Sequence, residues 1–118
     1  MTKHPKVLGL KQYEGYIDNH GRQTVLVSDG AGNNLKRLNP RYDLVNHGPD
    51  GFSWGYCGSG PSQLALAICA DLVGDNLAEQ VYQDFKFKVV AQLHGEFVLR
   101  ADDAFDAIEE ILKGANKA

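Results

Sequence analysis

The sequence is poor in cysteine, in long apolar runs and in excess charge, and each shortage argues against a class of protein. Only Cys57 and Cys69 occur among the 118 residues, so we expect no disulfide framework and a reducing, cytoplasmic setting. No apolar run approaches the length that crosses a bilayer, so no membrane association is predicted. The 12 basic and 15 acidic residues give a net charge of −3, which disfavours binding to a nucleic-acid backbone.

Clustered metal ligands are also lacking. Neither cysteine has a neighbouring ligand at metal-binding spacing, and the four histidines are scattered along the chain: His4, His20, His47 and His94. A metal site needs several such side chains brought together. The sequence therefore predicts no metal site, and no cofactor motif is present.

The chain is long enough, and with 43% hydrophobic residues apolar enough, to form one domain over residues 1–118. Residues 1–10 are expected to be a partly ordered lead-in. Strand-like residues at 11–18 and 23–29 flank a turn-like "NHGR" and predict a hairpin. A second turn, "GAGNN" at 30–34, would allow a third short strand in "LKRL", before a polar loop at 39–51.

The second half of the chain is predicted to be mainly helical. Residues 61–73 are apolar on nearly every side, which is typical of a buried helix. Here Gly60 is expected to be the N-cap, Pro61 the first helical residue and Gly74 the stop. Asn76 and Glu79 resemble a capping box for a helix near 77–93. Its apolar stripe comprises Leu77, Val81, Phe85, Val89 and Leu93, and Lys86 is expected on a solvated side.

A short strand at 96–100 and a last helix complete the prediction. That helix is expected to begin at Asp102 or Asp103, to bury Phe105, Ile108 and Leu112, and to end at Gly114. The fold class is therefore α+β: a small N-terminal antiparallel hairpin or three-stranded sheet packed against about three helices.

The glycine-rich stretch before residue 61 is the candidate functional site. With glycine at the cap, the backbone N–H groups of Ser62 and Gln63 lack a local side-chain acceptor. Gly58 and Gly60 allow another group to approach the backbone, and Ser59 adds a hydroxyl. This pattern predicts an anion site at a helix N-terminus. In the alternative interpretation, Asp50 or Gln63 caps the helix and no ligand binds.

Nucleophilic catalysis is a weaker interpretation of the same stretch. Cys57 or Ser59 could act as nucleophile with His47 as base and Asp50 to orient it. However, "CGSGP" is not the Gly-x-Ser-x-Gly elbow of hydrolases. We therefore predict no catalytic residue.

Aromatic residues alternate just before the glycines. In an extended segment Phe52, Trp54 and Tyr56 would share one face. That face would be either core or a platform for a base or a partner protein. Nearby, Lys36, Arg37 and Arg41 could add positive potential to an anion site.

The stretch "NHGPDGFSWGYCGSGPSQLALA", followed by "YQDFK", resembles a family of small bacterial and phage proteins known as a domain of unknown function. Its pattern contains GFxWGYGGSGPxQLALA and a later YQxFK helix, so Cys57 stands where the family has glycine. The matching positions outside that residue are Asn46, His47, Pro49, Gly51, Phe52, Trp54, Gly55, Tyr56, Gly58, Ser59, Gly60, Pro61, Gln63, Tyr82, Gln83, Phe85 and Lys86. The resemblance implies an accessory or host–phage conflict role without an activity.

The sequence thus favours a small non-enzymatic binding protein, of a phage or mobile-element accessory, anti-defence type. It would engage a protein partner or a nucleotide-like anion. The predicted ligand-binding residues are His47, Trp54, Tyr56, Gly58, Ser59, Gly60, Ser62 and Gln63. The alternatives are a small hydrolase or transferase that uses His47 with Cys57 or Ser59, and a purely structural module.

Overall fold

A computed structural model describes residues 11–28, 35–48 and 50–116 of the chain. The predicted lead-in at 1–10 and the predicted turn at 30–34 lie outside these residues. The strands are β1 (Gln12–Ile17), β2 (Gln23–Ser28), β3 (Lys36–Arg37) and β4 (Phe97–Arg100). The helices are α1 (Ser59–Val73), α2 (Asp75–Lys88) and α3 (Ala101–Asn116), with a 3₁₀ turn at Val90–Gln92.

The strands form one antiparallel sheet in the order β3-β2-β1-β4. In β1, Tyr13 lies opposite Val27 of β2 and Leu99 of β4. Residues that face each other across a ladder share one side of the sheet, and here that side packs on the hydrophobic core. The predicted α+β class, with an N-terminal antiparallel sheet and three helices, is confirmed. The predicted hairpin and third strand are present, and β4 adds a fourth strand beside β1.

Helix α1 is the centre of the domain. Every residue from Pro61 to Ala70 is buried, as expected for a helix that is apolar on all sides. Gly74 ends the helix as predicted, with a φ of 85° that glycine adopts without strain. The same glycine directly precedes α2, so a single residue separates the two packed helices.

Helix α2 differs from the prediction at both ends. It begins at Asp75 with no side-chain cap, so the expected Asn76–Glu79 capping box does not form. It ends at Lys88, and the predicted continuation to residue 93 is the 3₁₀ turn. The apolar stripe is correct, since Val81 and Phe85 are buried.

Lys86 was expected on a solvated side but is only 9% exposed. Its ammonium lies 4.4 Å from the centre of the Phe87 ring. The long aliphatic stem can be buried against apolar neighbours while the charged end stays near an aromatic face.

Helix α3 also extends beyond the prediction, because it starts at Ala101 and continues through Gly114 to Asn116. An isolated glycine is tolerated inside a helix at a modest cost in stability. Ile108 is buried as predicted, whereas Phe105 and Leu112 are only partly buried. Among the described helices, none combines the length and apolar character that a membrane span requires.

The described residues of the segment before α1 form a loop, as predicted for this part of the chain. Arg41 fixes it to the helices with a bidentate pair to Asp75, at 2.9 and 3.0 Å, and a second pair to Asp43 at 3.0 Å. The Arg41 guanidinium lowers the pKa of the Asp43 carboxyl. This contact holds the loop against the corner between α1 and α2.

Candidate functional site

Helix α1 begins two residues earlier than predicted. Its N-cap is Gly58, and the backbone N–H of Ser62 donates to the Gly58 carbonyl at 3.0 Å. The prediction that the Ser62 N–H is free is therefore wrong, because Pro61 occupies the third helical position and not the first. The N–H groups at the open end of the helix belong to Ser59 and Gly60, and no side chain of the described residues caps them.

Gln63 organises the loop from inside. The residue is fully buried. Its Nε2 donates to the carbonyls of Pro40, at 2.6 Å, and Val45, at 3.0 Å, while its Oε1 accepts the His47 N–H at 2.9 Å. All three hydrogen bonds go to backbone groups of partly buried loop residues. Gln63 thus sets the path of the chain before α1.

His47 contacts α2 and not the glycine-rich loop. Its Nε2 lies 2.9 Å from the Tyr82 hydroxyl, and the two rings are tilted 57° at a centroid distance of 5.6 Å. Burial and, to a lesser extent, the nearby Lys86 charge lower the pKa of the imidazole. This shift favours the neutral imidazole, and the hydrogen bond to Tyr82 joins the loop to α2.

The three alternating aromatic residues do not share a face, contrary to the prediction. Trp54 is buried, and its indole N–H donates to the Gly95 carbonyl at 2.7 Å. Its ring packs edge-on against the Phe97 ring, with the two ring centroids 4.8 Å apart. Tyr56 is 53% exposed, and Phe52 packs at the border of the core. The reason is Gly55, whose φ of 89° turns the chain between Trp54 and Tyr56.

One cleft, of about 350 Å³, opens at the start of α1. We call it the helix-start cleft; the polar residues of its lining are Arg22, Gln23, Asp50, Ser53, Tyr56 and Ser59, and Gly60 also lines it. The Ser53 and Tyr56 hydroxyls are 2.7 Å apart. The cleft therefore combines hydroxyl groups, an arginine and the positive end of a helix dipole.

Gly60 is needed where Ser53 approaches the helix. A Cβ at Gly60 would lie 1.9 Å from the Ser53 Oγ and 3.0 Å from its Cβ. Such distances are far below van der Waals contact. The glycine therefore permits the close approach of the 51–53 segment that forms one wall of the cleft.

The arginine of the cleft comes from the β1–β2 turn, and the sequence did not point to it. The Asp18 carboxylate accepts the backbone N–H groups of His20 and Arg22 at 2.8 and 2.9 Å, and these hydrogen bonds lower the pKa of Asp18. The turn thus presents Arg22 to a loop about thirty residues later in the chain. The local signal in "NHGR" predicts the turn but not what the turn faces.

The basic residues predicted to support this site lie elsewhere. None of Lys36, Arg37 and Arg41 lines the helix-start cleft: they line a cavity between β3 and α1, and Arg37 also lines a cavity that shares Gln23, Gly51 and Phe52 with the cleft. The positive charge at the helix-start cleft comes instead from Arg22, and Asp50 opposes it within the same lining.

Of the residues predicted for alternative chemistry, Asp50 and Ser59 line the same cleft, but the imidazole of His47 is directed elsewhere. Cys57 is exposed and Cys69 is buried, and burial raises the pKa of the Cys69 thiol. The hydrogen bond of the His47 imidazole goes to Tyr82 and not to Cys57 or Ser59. Within residues 11–28, 35–48 and 50–116, no group of His, Cys, Asp and Glu side chains could hold a metal ion.

The profile of one protein family, described as a family of unknown function (DUF6166), matches residues 13–110. The match spans both the sheet and the loop–helix segment that forms the cleft. No curated protein and no solved structure matches the chain.

Proposed function

We propose that this chain, which belongs to the family of unknown function DUF6166, is a small non-enzymatic binding protein. It holds a nucleotide-like anion in the helix-start cleft. A single observation carries this proposal: Arg22 and the uncapped start of α1 line one cavity. A guanidinium and helix N–H groups are both suited to phosphate oxygens.

The shape and lining of the cleft support a ligand of nucleotide size. A volume of about 350 Å³ falls within the range of small-molecule sites. The exposed Tyr56 ring supplies a stacking surface at the rim. In this proposal Tyr56, Ser59 and Gly60 contact the ligand together with Arg22 and Ser53.

The other predicted site residues have a positioning role in the proposal. His47, Trp54 and Gln63 are committed to contacts inside the protein, and the Ser62 N–H is bonded within the helix. Gly58 leaves room for the Tyr56 ring, which would be 2.7 Å from a Cβ at that position. These residues hold the loop in the shape that the ligand requires.

The test is a titration of the full chain with ATP and with cyclic AMP, in which binding is measured by thermal shift and by calorimetry. We expect the melting temperature to rise by several degrees at saturation. Arg22→Gln should weaken binding by about tenfold or more, whereas Asp50→Asn should strengthen it because a negative charge leaves the cleft.

Lys113→Gln, at the exposed end of α3, is the matched control with the same change of charge as Arg22→Gln. Equal weakening in the control would contradict the proposal. The absence of a response to both nucleotides would also overturn it, and would favour a protein partner or a structural module.

A phage or mobile-element accessory role remains part of the proposal. In its anti-defence version the protein sequesters a nucleotide signal or inhibits a defence complex. Expression of the chain in bacteria with a nucleotide-signalling defence system should then restore phage plaques, and Arg22→Gln should abolish the effect. Unchanged plaque numbers with the native chain would contradict this version.

A further inference from the structure

A second cavity, of about 390 Å³, lies between the β2–β3 edge of the sheet and helix α1. We call it the basic cavity. Four of the residues that line it are cationic: Lys11, Lys36, Arg37 and Arg41. One lining residue, Asp71, is acidic. The formal charge of the lining is therefore +3, in a chain whose net charge is −3.

Two of these cations are already paired. The Lys11 ammonium lies 2.7 Å from the Asp71 carboxylate, which also accepts the Tyr13 hydroxyl at 2.6 Å. Arg41 is held by Asp43 and Asp75. The single acidic side chain of the lining is thus occupied by Lys11 and Tyr13.

The other two cations have no such partner among the described residues. Within the described part of the chain, no ion pair involves Lys36 or Arg37. Both belong to the two-residue strand β3, which pairs with Leu26 and Val27 of β2. The ladder fixes their backbone at the edge of the sheet, with Lys36 opposite Val27 on the side that packs on the core and Arg37 opposite Leu26 on the other side, and both residues line the basic cavity.

From this arrangement we propose that the basic cavity is an anion site, separate from the helix-start cleft, that takes a small molecule carrying a phosphate or pyrophosphate group. Lys36 and Arg37 contact the phosphate oxygens. Leu38 and Ala67 form an apolar part of the wall, which suits an organic group attached to the phosphate.

The proposal is tested by titrating the isotope-labelled full chain with inorganic pyrophosphate while amide NMR signals are followed. Saturable shifts should appear for Lys36, Arg37, Leu38 and Ala67. In Lys36→Gln/Arg37→Gln the affinity should fall by about tenfold or more. Melting temperatures of both proteins, measured without ligand, verify that the double variant folds.

A matched double variant, Arg22→Gln/Lys113→Gln, removes the same charge elsewhere and should keep the pyrophosphate response at the basic cavity. Saturable shifts confined to Ser59 and Gly60 would overturn this site while supporting the proposed function. Shifts that do not saturate, or that weaken equally in both double variants, would show only non-specific attraction and also overturn it. Conversely, shifts confined to the basic cavity would support this site even if the helix-start cleft binds nothing.

Discussion

On the side of the loop that faces the protein interior, the α1 residue Gln63 is fully buried and makes three hydrogen bonds of 2.6 to 3.0 Å to loop residues. On the outer side, a few residues away, Tyr56 is 53% exposed and Ser59 faces the helix-start cleft. We define the inner side as His47, Trp54 and Gln63, and the outer side as Ser53, Tyr56 and Ser59.

The comparison shows that one short stretch contains two sets of polar groups with different tasks. Inner groups are paired with backbone or side chains of the protein, so replacing them leaves buried partners unsatisfied. Outer groups face a cleft, so replacing them changes what the cleft can bind and leaves the core intact. Stability and binding measurements on the same variants can therefore separate the two sides.

The largest effect is expected for Gln63→Leu. The substitution removes the partner of two carbonyls and one N–H, in Pro40, Val45 and His47. Unsatisfied buried groups cost about 1–3 kcal/mol each before relaxation, so the free energy of unfolding should fall by roughly 3 kcal/mol or more. Urea unfolding of both proteins measures it.

Gln63→Glu tests the same contacts more specifically, because a carboxylate would face two carbonyl oxygens in place of an amide donor. It should destabilise at least as much as Gln63→Leu near neutral pH. Near-native stability of either variant would contradict the inner side as defined here.

A smaller loss is expected for Gly60→Ala. The added Cβ would lie 1.9 Å from the Ser53 Oγ, and overpacking of this kind costs about 1–3 kcal/mol. Ser53→Gly removes both the Oγ and the Cβ that the new methyl would meet. A double-mutant cycle should therefore show a favourable coupling of about 1 kcal/mol or more in thermal or urea unfolding. Additive effects would show that the two positions do not touch.

Much of the fold could be predicted because its signals are local. The Tyr, Val and Ile content of β1 and β2 and the all-round apolar character of α1 are visible within single segments. The fourth strand was missed as a member of the sheet because Gln12 pairs with Arg100, at the opposite end of the chain. Nothing near either residue specifies that pairing.

The candidate site was predicted less completely, for physical reasons. Proline lacks an N–H and is tolerated at any of the first helical positions, so Pro61 does not by itself fix where α1 begins. Alternation of aromatic residues implies a shared face only if the backbone is extended, and Gly55 turns it. Arg22 reaches the cleft through tertiary structure alone.

The contact between His47 and α2 predicts a pH dependence. Burial lowers the pKa of His47 below its usual value of about 6.5, so the unfolded chain binds a proton more readily than the folded one. The free energy of unfolding should thus decrease as the pH falls from about 6.5 through the lowered pKa, and this contribution is fully present above about 6.5.

Urea unfolding at a series of pH values measures how the free energy of unfolding changes with pH. His47→Gln should remove the part of that change that comes from His47. NMR titration of the imidazole gives the pKa directly. A His47 pKa above the usual value, or an unchanged slope in the variant, would contradict the arrangement with Tyr82 and Lys86.

The smallest change in stability is expected on the outer side, at Tyr56. Tyr56→Phe removes the hydroxyl that lies 2.7 Å from the Ser53 Oγ but keeps the ring, and Tyr56→Ala removes both. Because this side chain is largely exposed, both variants should stay within about 0.5 kcal/mol of the native free energy of unfolding. For ATP binding, Tyr56→Phe should be close to native, whereas Tyr56→Ala should lose roughly 1–3 kcal/mol if the ring stacks on the base. Equal losses of ATP affinity in the two variants would assign the contribution to the hydroxyl. A loss of stability comparable to that of Gln63→Leu would place Tyr56 on the inner side of the loop.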